Sequence, residues 1–136
     1  MKTQAIIPVT LLFLLLAVFP ACQKESNPNP TDARSKFIGS WTVTKNKKMP
    51  NYEVTITADE ASSDGVLIYT FGNFGSGIFA TASISGNAIK LDPNQEIVSG
   101  IWINGGGSYS SGPEIFWTYT IYTGADLDTI TEFYRR

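Results

Sequence analysis

About one hundred residues at the end of this chain are dominated by an alternation of apolar and polar side chains with a period of two. In the segment Tyr52–Thr57, for example, the apolar residues Val54 and Ile56 alternate with Glu53 and Thr55. Successive side chains of a β-strand point to opposite faces of the sheet, so this period places the apolar residues on one face. The pattern therefore predicts strands with one buried face, and it excludes a mainly helical fold.

The same pattern predicts eight strands between Phe37 and Tyr134. They are Phe37–Thr44, Tyr52–Thr57, Val66–Phe71, Ile78–Ile84, Ala88–Leu91, Glu96–Ile103, Glu114–Tyr122 and Leu127–Tyr134. Short Gly-, Asn-, Asp- and Pro-rich segments separate most of them, and we expect these to be hairpin turns, including Asp92-Pro93-Asn94. The Gly- and Ser-rich segment Asn104–Pro113 is expected to be a flexible loop at one open end.

Sequential hairpins predict that neighbouring strands pair antiparallel in an up-and-down order. Eight such strands can close into a barrel, which removes the unpaired edges that an open sheet would leave for aggregation. We therefore expect an all-β fold, an eight-stranded antiparallel up-and-down barrel built from residues 36–136.

The N-terminal segment has the architecture of a signal peptide. Lys2 is followed by an apolar stretch from Ile6 to Phe19 and then by Cys22. This stretch is shorter than the roughly 20 residues that span a bilayer, so cleavage is expected in place of a retained membrane helix. The interpretation divides the chain into a signal peptide at 1–21, a polar linker at 22–35 beginning with Cys22, and the barrel domain.

Two motifs carry a resemblance to a known group of proteins. The sequence Ala21-Cys22, followed by Gln23-Lys24-Glu25, resembles the lipid-attachment site of Bacteroidetes lipoproteins, and Phe37-Ile38-Gly39-Ser40-Trp41 resembles the Gly-x-Trp entry of lipocalin-like barrels. The chain is thus similar to small lipocalin-like lipoproteins of Bacteroidetes. The resemblance implies lipidation of Cys22, anchoring in the outer membrane with exposure at the cell surface, and a Trp41 side chain that plugs the closed end of the barrel.

The lipocalin-like resemblance also implies binding of a small apolar ligand in the mouth of the barrel. The candidate contact residues are Trp41, Ile56, Ile68, Ile101, Trp117 and Tyr119. An eight-stranded barrel has an interior that side chains can fill or that can hold one small ligand. A packed barrel that acts as a structural or interaction module of the cell envelope is therefore the alternative.

Catalysis has little chemical basis in this sequence. The chain has no histidine, and its one cysteine is assigned to the lipid, so Ser-His and Cys-His nucleophile systems are excluded. No metal site or cofactor is expected, and Asp126 and Asp128 are interpreted as turn residues. Glu114 and Glu132 are the candidate carboxylate pair of a glycosidase, but we expect them to be solvent-facing strand charges. The sequence therefore predicts a protein that is not an enzyme.

Charge and surface aromatics leave two further partners to consider. The chain has 10 basic and 12 acidic residues, which does not favour a nucleic acid partner. Lys45, Lys47 and Lys48 form a basic cluster that is interpreted as a solvated hairpin, with anionic headgroups as the alternative. Trp102 and Tyr109 are expected at the surface, where aromatic rings can stack on sugars, so a glycan-binding module is the second alternative function. The sequence leaves the oligomeric state open.

Replacement of Cys22 by serine tests the anchor. Each acyl methylene buried in a membrane contributes about 0.8 kcal/mol, so loss of the acylated residue should release the protein. We expect Cys22→Ser to move the protein from the detergent phase to the aqueous phase of Triton X-114, while the control Ser26→Ala stays in the detergent phase. A Cys22→Ser protein that remains in the detergent phase would refute the assignment.

Overall fold

Nine strands form one antiparallel sheet in the computed structural model, which describes residues 32–45 and 50–136. The strands are β1 Gly39–Thr44, β2 Tyr52–Ala58, β3 Gly65–Tyr69, β4 Phe79–Ser85, β5 Ala88–Leu91, β6 Gln95–Val98, β7 Ile101–Ser110, β8 Glu114–Tyr122 and β9 Leu127–Arg135. A short 3-10 turn, Phe71–Asn73, lies between β3 and β4. The predicted signal peptide, Cys22 and most of the linker lie outside the described residues, as do Lys47 and Lys48.

The sheet closes on itself. Strand β9 pairs with β1, with Tyr134 opposite Val43, and β5 pairs with β7, with Ile89 opposite Gly107. The closed ring therefore runs β1-β2-β3-β4-β5-β7-β8-β9, and every pairing in it is antiparallel. The predicted eight-stranded antiparallel up-and-down barrel is confirmed.

Strands β5 and β6 follow one another along the same edge of β7 and together occupy one of the eight strand positions of the barrel. Both pair antiparallel with the same edge of β7: Ala88 lies opposite Ser108, and Gln95 lies opposite Ile103. The predicted hairpin at Asp92-Pro93-Asn94 is therefore wrong, because the chain leaves the wall there and rejoins it in the same direction. Pro93 lacks a backbone donor, and a strand interrupted at such a residue loses part of its ladder.

The side chain of Gln95 replaces part of the interrupted ladder. Its Oε1 accepts a hydrogen bond from the Thr81 backbone nitrogen at 2.9 Å, and its Nε2 donates to the Thr81 carbonyl oxygen at 2.7 Å. The true reversal lies at Ser99-Gly100, where Gly100 has φ +80°. The predicted strand Glu96–Ile103 is therefore also wrong, since it contains a hairpin turn.

The predicted loop Asn104–Pro113 is mostly strand, because β7 extends to Ser110. Its glycines lie against the bulky residues of β8: a Cβ built on Gly105 would lie 2.5 Å from the Thr118 carbonyl oxygen, and one built on Gly107 would lie 3.0 Å from the Trp117 ring. The glycines therefore allow a close approach of β7 to β8, which is a recognised role of glycine within a strand. Because glycine is also common in loops, this strand has the amino-acid composition of a loop.

One end of the barrel is closed by the residues around Trp41. The Trp41 Nε1 donates a hydrogen bond to the Phe37 carbonyl oxygen at 2.7 Å, and the Arg136 guanidinium lies 4.0 Å from the centre of the Trp41 ring. Tyr109, expected at the surface, contacts the Phe37 and Trp41 rings edge-on. At the same end, Arg34 donates to the carbonyl oxygens of Asp59 and Ser62 in the β2–β3 loop and of Gly65 at the start of β3.

The apolar faces of the strands form the core inside the barrel. Its fully buried members with the largest side chains are Phe37, Trp41, Ile56, Ile68, Phe71, Ile89, Leu91, Ile103, Ile115, Trp117, Tyr119 and Tyr134. None of the helical turns in the described part of the chain has the length and apolarity needed to cross a bilayer.

A methyl group at Gly105 should be far more damaging than one at Gly112. Gly105 has φ +142° and no room for a Cβ, whereas a Cβ on Gly112 meets nothing within 4 Å. Backbone strain and overpacking together should cost about 3 kcal/mol in Gly105→Ala, and Gly112→Ala should stay within about 0.5 kcal/mol of the wild type. Urea unfolding measures both values, and equal stabilities would contradict the close β7–β8 approach.

Candidate functional site

Glu132 is the one charged side chain that is fully buried among residues 32–45 and 50–136. It lies on β9 between Ile130 and Tyr134, which face the barrel interior. The expectation that Glu132 faces solvent is therefore wrong. A buried carboxylate is costly unless it is paired and hydrogen-bonded, so its partners define the site.

Within residues 32–45 and 50–136, three groups contact the Glu132 carboxylate. The Tyr119 hydroxyl donates to Oε1 at 2.8 Å, and the Tyr52 hydroxyl donates to Oε2 at 2.9 Å. The Lys45 Nζ lies 2.8 Å from Oε1 and 5.5 Å from the centre of the Tyr52 ring. Both carboxylate oxygens therefore have hydrogen-bond donors, and Lys45 is a positive partner for the negative charge. We call Glu132, Tyr119, Tyr52 and Lys45 the Glu132 cluster.

Burial is the main reason why the pKa values of the Tyr52 and Tyr119 hydroxyls are raised far above the usual tyrosine range. The charge of Glu132 and the hydrogen bonds to it raise these pKa values further. The pKa of Tyr134 is raised as well, first by burial and then by charge interactions with Tyr52, Glu132 and Tyr119. All three hydroxyls therefore remain protonated at neutral pH, and two of them serve as donors to the carboxylate.

Four adjacent strands bring the Glu132 cluster together. Val43 on β1 lies opposite Tyr52 on β2 and opposite Tyr134 on β9, so these residues form one level across the wall. Lys45 follows the last residue of β1, at the end of the barrel opposite to the end closed by Trp41. Its side chain is 19% exposed, and Tyr52 is half-buried, so these two residues separate Glu132 from solvent.

Two buried polar atoms beside the Glu132 cluster have no hydrogen-bond partner in the described part of the chain. They are the Trp117 Nε1 and the Tyr134 hydroxyl oxygen. Trp117 lies directly opposite Glu132 on the neighbouring strand, and its ring centre is 5.4 Å from that of Tyr134. Buried polar groups are paired in most folded proteins, so a ligand that offered polar atoms here would gain hydrogen bonds.

The predicted contact residues all belong to the barrel interior. Trp41, Ile56, Ile68, Trp117 and Tyr119 are buried, and Ile101 is half-buried and packs against the core. The structure separates them, because Trp41 lies at the closed end whereas Trp117 and Tyr119 pack on Phe71 near Glu132, with ring centres 5.6 and 4.8 Å from that of Phe71. Their contact with a ligand stays a prediction.

Sequence reasoning missed Glu132, Tyr52 and Lys45 as members of one site. A usable signal existed for Glu132, because it stands two residues from Ile130 and two from Tyr134, in the inward register of a strand. The same register applies to Lys45, two residues after Val43, and to Tyr52, two residues before Val54, but no sequence signal indicates that they contact Glu132. Their meeting with Glu132 depends on the closing pairing of β9 with β1.

Glu114 does not join Glu132. It lies on the outer face of β8, opposite Arg135, with which it forms an ion pair. The two carboxylates therefore occupy opposite faces of the wall, which is not the facing arrangement that glycoside hydrolysis requires. In the ranges 32–45 and 50–136, no group of three or more His, Cys, Asp or Glu residues is suitably placed to hold a metal ion.

A separate groove of about 460 Å³ lies on the outer face of the barrel. It is lined by Asn94, Trp102, Ile103, Asn104, Thr120, Tyr122 and Leu127. Trp102 and Tyr122 remain 37% and 45% exposed, and their ring centres are 6.1 Å apart. Uncharged polar groups and two accessible aromatic faces are the features that suit a neutral sugar.

Comparison with protein-family models and with curated proteins found no match to this chain. The fold and the geometry of the site are therefore the basis for a functional assignment.

The raised pKa values predict a loss of stability in alkali. The unfolded chain releases tyrosine protons near the ordinary pKa of 10.0, whereas Tyr52, Tyr119 and Tyr134 keep theirs while folded. The stabilisation is therefore complete below pH 10, and the free energy of unfolding should fall above it by about 1.4 kcal/mol per pH unit for each such tyrosine.

Urea unfolding between pH 8 and 11.5 measures how the free energy of unfolding changes with pH. Tyr119→Phe should make this slope shallower by about 1.4 kcal/mol per pH unit, the contribution of one tyrosine. The prediction fails if Tyr52, Tyr119 and Tyr134 ionise near pH 10 by absorbance at 295 nm while the barrel remains folded.

Proposed function

We propose that this protein is an outer-membrane lipoprotein, anchored through Cys22, whose barrel binds one small ligand with an apolar body and a polar head group. The ligand enters at the end of the barrel where Lys45 and Tyr52 lie, and its head group meets the Glu132 cluster. The proposed activity is binding and not catalysis. The observation that carries the proposal is the fully buried, hydrogen-bonded charge of Glu132.

The energetics of Glu132 support a functional role. A buried ion pair is often no more stabilising than well-packed apolar side chains of similar volume, because desolvation offsets the attraction. The Glu132 cluster is thus poorly explained by stability alone. Strongly perturbed titratable groups concentrate at functional sites, and this cluster lies at the end of an apolar barrel opposite to the Trp41 end.

The surroundings of the Glu132 cluster suit the apolar body of a ligand. The rings of Phe71, Trp117 and Tyr134 pack in sequence beside Glu132. Pockets for small molecules are mostly apolar and aromatic, with a few polar groups that fix orientation. Aromatic side chains, one carboxylate and two polar atoms that lack a hydrogen-bond partner among residues 32–45 and 50–136 fit that description.

The position of the linker is compatible with a tethered binding protein. Arg34, three residues before Phe37, contacts the β2–β3 loop at the closed end of the barrel. A tether that reaches the barrel there leaves the end with Lys45 and Tyr52 on the far side. A ligand could then approach this end without obstruction by the membrane.

The outer groove favours a second candidate function, recognition of a glycan at the cell surface. Trp102 and Tyr122 offer accessible ring faces, and the amide side chains of Asn94 and Asn104 can hydrogen-bond to sugar hydroxyls. The third candidate, a packed barrel that docks on a protein partner, assigns no role to the charge of Glu132.

One experiment separates these candidates. The full chain is isolated from the cells that produce it, extracted with organic solvent, and the extract is analysed by mass spectrometry. We expect a small molecule at about one per protein in the wild type and in Trp102→Ala. In Glu132→Gln the amount per protein should fall, because the loss of about 2 kcal/mol from a charged hydrogen bond weakens the affinity about thirtyfold.

Trp102→Ala is the matched control because it removes a ring from the outer face without touching the Glu132 cluster. Loss of polysaccharide binding in Trp102→Ala, with no extracted small molecule in the wild type, would support the glycan candidate instead. An empty wild type that also binds no polysaccharide would leave the packed docking module.

A further inference from the structure

We propose that the ligand of the barrel carries an ammonium group. In the empty protein the Lys45 ammonium occupies the site of this group, and the ligand displaces Lys45 when it binds. This inference rests on the proposed function, because it names the chemical class of the ligand at the same site. The protein's own lysine thereby acts as an intramolecular competitor for the Glu132 carboxylate.

The charge of the site calls for a cation. Tyr52 and Tyr119 donate neutral hydroxyl hydrogens to Glu132, so without Lys45 the cluster has a formal charge of −1. An anionic head group, such as the carboxylate of a fatty acid, would meet a buried like charge at this position. A neutral head group that displaced Lys45 would remove the positive charge of Lys45 from the buried carboxylate, which is costly.

The position of the Lys45 ammonium shows which chemistry the site accepts. The nitrogen lies 2.8 Å from a Glu132 oxygen and 5.5 Å from the centre of the Tyr52 ring. A carboxylate together with an aromatic ring attracts an organic cation through both an ion pair and a cation–π interaction. A ligand ammonium at the same position would gain the same two contacts.

Lys45 is placed so that it can leave without disruption of the barrel. It follows the last residue of β1, outside the β1–β2 and β1–β9 pairings, which begin or end at Val43 and Thr44. Its side chain is partly exposed, and the lysine head is held on a flexible four-carbon stem that can turn toward water. Glu132 cannot do the same, since it belongs to β9 and is fully buried.

The neighbouring polar atoms refine the ligand class. The Trp117 Nε1 can only donate a hydrogen bond, and the Tyr134 hydroxyl can donate or accept one. A ligand with a hydroxyl, ether or carbonyl oxygen in its body would satisfy both. A free carboxylate on the same ligand would be repelled by Glu132, so the expected class is a monocationic aromatic or alkyl amine and not a zwitterionic amino acid.

The test uses three water-soluble probes that share a phenyl ring and differ in head group: 2-phenylethylamine, 2-phenylethanol and 3-phenylpropanoate. Binding to the full chain in a nonionic detergent is measured by calorimetry at pH 7. We expect the wild type to prefer the amine over both other probes by about tenfold or more, which is 1.4 kcal/mol or more. Glu132→Gln should abolish this preference.

Lys45→Met removes the internal competitor. If Lys45 occupies the site for nine-tenths of the time, its removal should raise the affinity for the amine about tenfold, because the competent fraction then rises from about a tenth to nearly one. Lys90→Met is the matched control, since Lys90 is exposed on β5, away from the Glu132 cluster, and it should leave the affinity unchanged. Lys45→Gln should act in the same direction as Lys45→Met and serves if the latter does not fold.

The outcomes separate the two proposals. Equal binding of the three probes, or tighter binding of the alcohol or the acid, would overturn the amine inference and leave the barrel as a binding protein. Amine binding that weakens in both Lys45→Met and Lys45→Gln would also overturn it, since Lys45 would then be a ligand contact. Absence of binding by all three probes to the wild type and both variants, with no small molecule in the cellular extract, would overturn the proposed function as well.

Discussion

The closure of the sheet by the β9–β1 and β5–β7 pairings is the constraint on which the rest of the structure depends. Closure at eight strand positions sets an interior that is only wide enough for side chains or for one small ligand. It also turns one face of every strand inward, so that Glu132 on β9 and Tyr52 on β2 share a small volume although 80 residues separate them. Without closure, Glu132 would keep Tyr119 on the adjacent strand but would lack Tyr52 and Lys45.

The glycines of β7 make this interior possible. Trp117 and Tyr119 on β8 are among the largest buried side chains, and the backbone of Gly105 and Gly107 lies directly against their strand. Small residues on one strand thus offset bulky residues on the next, which keeps the wall continuous around a crowded core. The same two bulky residues border Glu132, so the packing of the wall and the construction of the Glu132 cluster have a common physical basis.

The charge at the centre of the Glu132 cluster links stability to function. Glu132 is stabilised by two protonated tyrosines and one lysine, and Lys45 is the only one of these partners that lies beyond the end of a strand. The two tyrosines lie on strands and hold the carboxylate in place, while the lysine is the partner that we propose a ligand ammonium displaces. In this proposal the carboxylate has a positive partner in both the empty and the occupied site.

The sequence by itself determined the strand type and the up-and-down order, because the period of two and the turn residues act locally. It also determined that Trp117 and Tyr119 face inward. The tertiary structure alone decided how β5 and β6 share one wall position, since Asp92–Asn94 has the composition of a turn whether or not the chain reverses there. It alone decided that Gly105–Gly107 is strand and that Lys45 meets Glu132, because both depend on neighbours distant in the chain.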